Sequence, residues 1–184
     1  CALGQQPRKA LELLREMRHE GVELDVIGGN AALAACARAG LWEHPFRVLA
    51  ELRRSAIRPD TVTYNTAITA CDVGARSEHA LGLFEEMGHE GLRSDVISYS
   101  ATVSACSRAL RWERALGIFE TVHRDAVEPN VVTYSSAMSA CEKAEDWMGA
   151  LGLLADMQLE EVPPNAITYS SLISTCEKGG QWEL

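Results

Sequence analysis

Cysteine recurs in this chain at a constant interval: Cys1, Cys36, Cys71, Cys106, Cys141 and Cys176 are each 35 residues apart. An even set of cysteines usually points to disulfides or a metal site, yet neither needs equal spacing of that length, and no Cys-x-x-Cys pair occurs. A strict period of this size means a repeat architecture. Set out in units starting at Val26, Thr61, Val96, Val131 and Ala166, the chain aligns with itself. One column holds Tyr64, Tyr99, Tyr134 and Tyr169, with Gly29 as the exception; another holds Trp42, Trp112, Trp147 and Trp182, interrupted by Ser77. The expected organisation is one array with repeats at 26–60, 61–95, 96–130 and 131–165, preceded by the tail of a repeat at 1–25 and followed by the head of another at 166–184. A chain that starts and stops inside a repeat is expected to be a segment of a longer array, with open apolar ends prone to self-association.

Within each unit the apolar spacing is helical. Tyr64, Ala67, Ile68 and Cys71 follow i, i+3, i+4, i+7, as do Tyr99, Thr102, Val103 and Cys106. A second helix carries Ala80, Leu81, Phe84 and Met87, matched by Ala115, Leu116, Phe119 and Val122. Gly40, Gly74 and the pair Gly179 and Gly180 are breakers between the two helices, and Gly21 and Gly91 follow the second. Pro59, Pro129 and Pro164 stop the chain before the next unit. Neither helix buries its face alone, so hairpins must stack. The expected fold class is all-α, an α-solenoid of stacked antiparallel helical hairpins. Cysteine at an inward column then acts as a small buried hydrophobe, and reduced thiols suit an intracellular compartment.

Charge at first argues against nucleic acid, since 17 basic and 26 acidic residues leave −9. Its placement softens that. The first fourteen residues of the units hold three acids (Asp72, Glu142, Glu177) and four bases (Arg38, Arg108, Lys143, Lys178), a net +1. The remainder carries −10. No apolar run approaches the roughly 20 residues a membrane helix needs, so no membrane partner is expected.

The run Thr61-Val62-Thr63-Tyr64-Asn65-Thr66-Ala67-Ile68, its echoes at Val131–Ser136 and Ala166–Ser171, and the close Ala80-Leu81-Gly82-Leu83-Phe84-Glu85-Glu86-Met87 resemble a pentatricopeptide repeat. The departures are local: Gly28 and Gly29 replace Thr-Tyr, Ser94 and Leu24 replace proline, and Ser77 replaces tryptophan. The resemblance implies a right-handed superhelix that binds single-stranded RNA, one base per repeat. It implies reading pairs at the fifth and last residues of each unit: Asn30 with Asp60, Asn65 with Asp95, Ser100 with Asn130, and Ser135 with Asn165, plus Asp25 and Ser170 at the incomplete ends. It further implies that Ile27, Val62, Ile97, Val132 and Ile167 sandwich the bases, and that Arg38, Arg108, Lys143 and Lys178 meet phosphate, with weak grip where Val73 breaks the column. An organelle, mitochondrion or plastid, and RNA processing, stability, translation or editing follow from the same resemblance.

Chemistry supports the pairs independently. An ionised Asp only accepts hydrogen bonds and suits a base with a ring N–H, whereas an Asn amide both donates and accepts, as adenine requires. With Asn filling the space beside a pyrimidine and Ser leaving room for a purine, the resemblance gives a core of 5′-UUAA-3′. The alternative for the last residues is helix N-capping, for which Asp and Asn are preferred. Thr63, Ser98, Thr133 and Thr168 could cap instead, and capping alone gives no reason for Asn to become Ser in step with Asp becoming Asn. For the aliphatic column, the alternative is filling the gap between hairpins. His19, His89 and His123 lack ligand spacing and are expected at the surface. No nucleophile elbow, phosphate loop or zinc-deaminase signature occurs, so neither enzymatic activity nor a cofactor is expected. The competing class is a helical scaffold that binds protein partners in its concave face.

Overall fold

A computed structural model of the chain describes residues 25–180, together with Lys9, Glu12 and Glu16, which have helical backbone. Cys1, His19, Gly21, Leu24 and Trp182 lie outside the described residues. Residues 25–180 form nine helices and no strand: α1 (Val26–Arg38), α2 (His44–Arg54), α3 (Thr61–Val73), α4 (Ser77–His89), α5 (Val96–Arg108), α6 (Trp112–Arg124), α7 (Val131–Ala144), α8 (Trp147–Leu159) and α9 (Ala166–Lys178). The fold is all-α, of stacked helical hairpins. None of the described helices is long and apolar enough to cross a membrane.

The chain divides into two compact units, Cys1–Ser94 and Asp95–Leu184. In the first, α1 packs on α2 and α3, α2 on α3, and α3 on α4. In the second, α5 packs on α6 and α7, α6 on α7, α7 on α8 and α9, and α8 on α9. Within each unit the odd-numbered helices therefore stand side by side, and each even-numbered helix between two of them braces both neighbours. The i, i+3, i+4, i+7 stripe of α3 is wholly buried, and so are Tyr99, Thr102, Val103 and Cys106 in α5 and Tyr134, Ala137, Met138 and Cys141 in α7. In α4 the buried line is Ala80, Leu83 and Met87, while Leu81 and Phe84 are only half-buried. Leu83 sits three residues after Ala80 and four before Met87, so the contact is centred one column away from the expected one. In α6 the aromatic is buried, because the Phe119 ring packs edge-on against Tyr134 at 5.2 Å between centroids.

Turn geometry repeats more strictly than turn sequence. Left-handed backbone occurs at Gly40, Ala75, Leu110, Glu145 and Gly180 after the first helices, and at Ala56, Gly91, Ala126 and Glu161 after the second. Both sets keep the period of 35. After the first helices, the N–H groups of Leu41, Arg76, Arg111 and Asp146 donate to the carbonyls of Cys36, Cys71, Cys106 and Cys141 at 2.9–3.1 Å, closing Schellman-type caps. Two expected breakers have another purpose. Gly74 and Gly179 keep ordinary helical φ of −82° and −77°, but a Cβ there would come within 3.0 Å of Trp42 and 2.8 Å of Trp147. They are small because a tryptophan of the preceding hairpin lies on them.

Leucine in the left-handed region costs about 1 kcal/mol that glycine does not incur. Leu110 has φ of 59° and is 67% exposed, so little packing is lost with its side chain. Leu110→Gly is expected to raise the thermal midpoint, followed by circular dichroism at 222 nm, by about 2–4 °C. A lowered midpoint would mean that its residual contacts outweigh the backbone cost.

Candidate nucleic-acid interface

The last residue of every unit caps the next helix. All five cap residues have extended backbone, which aims the side-chain oxygen back at the exposed N–H groups of the first turn. Asp25 Oδ1 accepts from Gly28 N at 2.7 Å, Asp60 Oδ1 from Thr63 N at 2.8 Å, and Asp95 Oδ1 from Ser98 N at 2.9 Å. Asn130 Oδ1 accepts from Thr133 N and Asn165 Oδ1 from Thr168 N, each at 2.9 Å. Thr63, Ser98 and Thr168 do not cap in their stead. Each accepts the N–H of the cap residue on its own hydroxyl, at 3.2, 3.2 and 3.3 Å, and so completes a reciprocal capping box.

Capping uses only one heteroatom of each side chain. A backbone N–H meets an oxygen, so the cap orients the amides of Asn130 and Asn165 with Nδ2 pointing away from the helix terminus. Among the described residues, Asp60 Oδ2 and the Nδ2 atoms of Asn130 and Asn165 take no hydrogen bond. Burial pushes the Asp60 carboxyl up, but the Thr63 hydroxyl, the Thr63 N–H and the Asn30 amide outweigh it and hold the carboxyl below its ordinary value. Asp60 is therefore an ionised acceptor at neutral pH.

The fifth residues are brought to their partners unequally. Asn30 Nδ2 donates to Asp60 Oδ1 at 3.3 Å, and Ser135 Oγ donates to Asn165 Oδ1 at 3.4 Å. Ser100 Oγ instead donates to the Ile97 carbonyl at 3.1 Å, turned into its own helix rather than to Asn130. Asn65 is buried in α3 of the first compact unit, and Asp95 caps α5 in the second. Ser170 is exposed on α9 and lines a cavity of about 420 Å³ with Glu142, Ile167, Ser171 and Ser174.

The aliphatic column is half or more exposed. Ile27, Val62, Ile97, Val132 and Ile167 are 77, 56, 52, 52 and 58% exposed, at the second position of each first helix. In the basic column, Arg38, Arg108, Lys143 and Lys178 are exposed, as is Val73. Lys178 Nζ lies 3.1 Å from Glu142 Oε1, which also accepts from Ser174 Oγ at 2.8 Å. Burial alone would raise the Glu142 carboxyl, yet Ser174 and Lys178 hold it below its ordinary value. Glu142 is counted in the sequence only as an acid of the first helices, and its pairing is not legible there because its partners are 32 and 36 residues away. His89 is exposed, and His123 Nδ1 lies 3.3 Å from Glu160 Oε1.

Three family models match the chain. The one described as pentatricopeptide repeat domain matches residues 12–73 and 82–144, that described as PPR repeat family matches 129–178, and that described as PPR repeat matches 1–22 and 62–92. Among solved structures, the pentatricopeptide repeat protein PPR10 in complex with an 18-nt psaJ RNA element is 32% identical, with a TM-score of 0.76 over 97% of this chain. This chain spans about a quarter of that one, 26%. The PPR domain of Arabidopsis thaliana protein-only RNase P 1 in complex with tRNA is 15% identical, with a TM-score of 0.81 over 94% of this chain and 91% of that one. Nuclear proteinaceous RNase P 2 from A. thaliana is 12% identical, with a TM-score of 0.78 over 99% of this chain and 39% of that one. These last two likenesses bear on the fold alone. Comparison with curated proteins finds no match.

Proposed function

The chain belongs to the pentatricopeptide repeat family, and from that premise we propose that it is a sequence-dependent binder of single-stranded RNA rather than an enzyme. Its repeats at 26–60, 61–95, 96–130 and 131–165 read 5′-UUAA-3′ through Asn30/Asp60, Asn65/Asp95, Ser100/Asn130 and Ser135/Asn165, and Asp25 and Ser170 extend the site. The observation that carries this reading is the division of labour in the cap residues. In Asp60, Asn130 and Asn165 one heteroatom holds the helix terminus, and the other is left over with a polarity fixed by residue type. Asp60 leaves an acceptor, complementary to the ring N–H of uracil. Asn130 and Asn165 leave donors, complementary to the ring nitrogen of adenine.

Two further features support the proposal. The β-branched side chains of Ile27, Val62, Ile97, Val132 and Ile167 stand half or more exposed, against the usual preference of such groups. Stiff aliphatic groups of this kind hold a flat base at little entropic cost. Exposed Arg38, Arg108 and Lys143 supply phosphate contacts, with Lys178 shared with Glu142. Few such contacts, on a chain of net charge −9, give modest affinity that falls with salt. Organellar RNA processing, stability, translation or editing is the setting we propose, after the family.

Fluorescence anisotropy with a short RNA containing UUAA and one containing GGCC tests this in the full chain. Binding of the first about tenfold tighter is expected. Equal affinity for both, or no binding of either, would sink the base reading and leave a protein-binding scaffold as the alternative.

A further inference from the structure

Two of the reading pairs share a partner that lies in neither position of the pair. Thr63 Oγ1 is 2.7 Å from Asn30 Oδ1 and 2.7 Å from Asp60 Oδ1, and it accepts the Asp60 N–H at 3.2 Å. Thr168 Oγ1 is 3.3 Å from Ser135 Oγ and 3.1 Å from Asn165 Oδ1, and it accepts the Asn165 N–H at 3.3 Å. Both threonines are fully buried, and both reach back 33 residues to the fifth residue of the preceding unit. We propose that Thr63 and Thr168, the third residues of their units, are positioning residues that set the base preference of the preceding repeat by fixing how Asn30 and Ser135 face the RNA. This inference rests on the base reading proposed above.

The Thr63 hydroxyl constrains Asn30. It accepts the Asp60 N–H and has one proton, which it shares between Asn30 Oδ1 and Asp60 Oδ1. Asn30 turns its carbonyl to the hydroxyl and its amide nitrogen to Asp60. The flipped amide would set its carbonyl oxygen against the Asp60 carboxylate oxygen. Held in this way, Asn30 keeps one N–H and one lone pair for a base, in a fixed order. At Thr168 the hydroxyl holds the Ser135 side chain against Asn165, away from the carbonyls of its own helix. The remaining pair within one compact unit supplies a comparison. Thr133 Oγ1 donates to Asn130 Oδ1 at 3.0 Å but has no described contact with Ser100, whose hydroxyl is turned to Ile97.

Thr63→Val, Thr63→Ser, Thr133→Val and Thr168→Val are compared with the wild-type chain by anisotropy, using RNAs that vary one base at a time within UUAA. Circular dichroism reports helicity. Thr63→Val is expected to cut the preference for U at the first position about tenfold while preferences at the other positions persist. Thr63→Ser restores it, Thr168→Val weakens the preference at the last position, and Thr133→Val leaves the third position unchanged. A folded Thr63→Val chain with undiminished preference overturns the proposal and leaves the base reading intact. If Thr63→Val loses its helicity, Thr168→Val decides in the same way. A wild-type chain with no preference at these positions removes the base reading and this inference together.

Discussion

Replacing Asn130 and Asn165 together by aspartate is expected to move the preferred RNA from UUAA to UUGG, with the ratio of the two affinities changing by at least tenfold. In both residues Oδ1 receives the N–H groups of the helix terminus, and aspartate does the same at positions 60 and 95. The substitution therefore keeps the cap and changes only the atom left over, from an amide that donates to a carboxylate oxygen that accepts. Adenine then meets two acceptors face to face, whereas guanine offers its ring N–H. An unmatched polar contact costs about 1–3 kcal/mol, and 1.4 kcal/mol is tenfold, so one position alone is measurable and two are decisive. Because the added charge weakens both RNAs alike, the ratio is the quantity to read. Aspartate and asparagine are nearly equal caps, so the thermal midpoint should hold. The double alanine variant separates the two roles: it loses the caps, at about 1 kcal/mol each, and its remaining binding shows no gain for UUGG. If both RNAs weaken in step in the aspartate variant, these residues cap and do not read.

The same residues show how far sequence alone reaches. Helical periodicity located the buried stripe of α3 because burial and spacing are one signal: Tyr64, Ala67, Ile68 and Cys71 are all inaccessible. Capping and reading could not be separated at Asp60 or Asn165, since both roles favour the same short polar side chains, and only the atom-by-atom geometry makes them compatible. The left-handed turns at Ala75, Leu110 and Glu145 were illegible for the opposite reason. Local preference argues against such residues there, and the Schellman bond to the preceding cysteine carbonyl, together with the packing of both flanking helices, overrides it. The Glu142–Lys178 pair and the Thr63–Asn30 bridge join residues a whole repeat apart, which no local pattern displays. Ser100 is the converse: its sequence matches Ser135, yet its hydroxyl turns to its own helix.

Alkaline unfolding is expected to be steep, and the cysteines that reveal the repeat are its cause. Cys36, Cys71, Cys106 and Cys141 are buried and in no disulfide. Burial pushes Cys71 up to about 12, and burial with the nearby Asp146 carboxylate pushes Cys141 up to about 12. In the unfolded chain these thiols ionise near their ordinary value of 9.0. Their folded values are raised, so the native state binds more protons than the unfolded state between these limits, and stability falls as pH rises through that window. Each such thiol costs about 1.4 kcal/mol per pH unit while the window lasts. The buried tyrosines act in the same direction from higher pH: burial raises Tyr64, Tyr99 and Tyr134, reinforced at the last two by the acceptors Asp125 and Glu160. Urea melts at pH 7, 9 and 10.5 should give a slightly lower midpoint at pH 9 than at pH 7 and a clearly lower one at pH 10.5. Cys71→Ala with Cys141→Ala lowers stability at pH 7 by loss of packing but flattens the decline between pH 9 and 10.5. An unchanged slope in that double variant would assign the alkaline sensitivity to the tyrosines, and a flat profile in the wild-type chain would mean that these thiols ionise in the folded state.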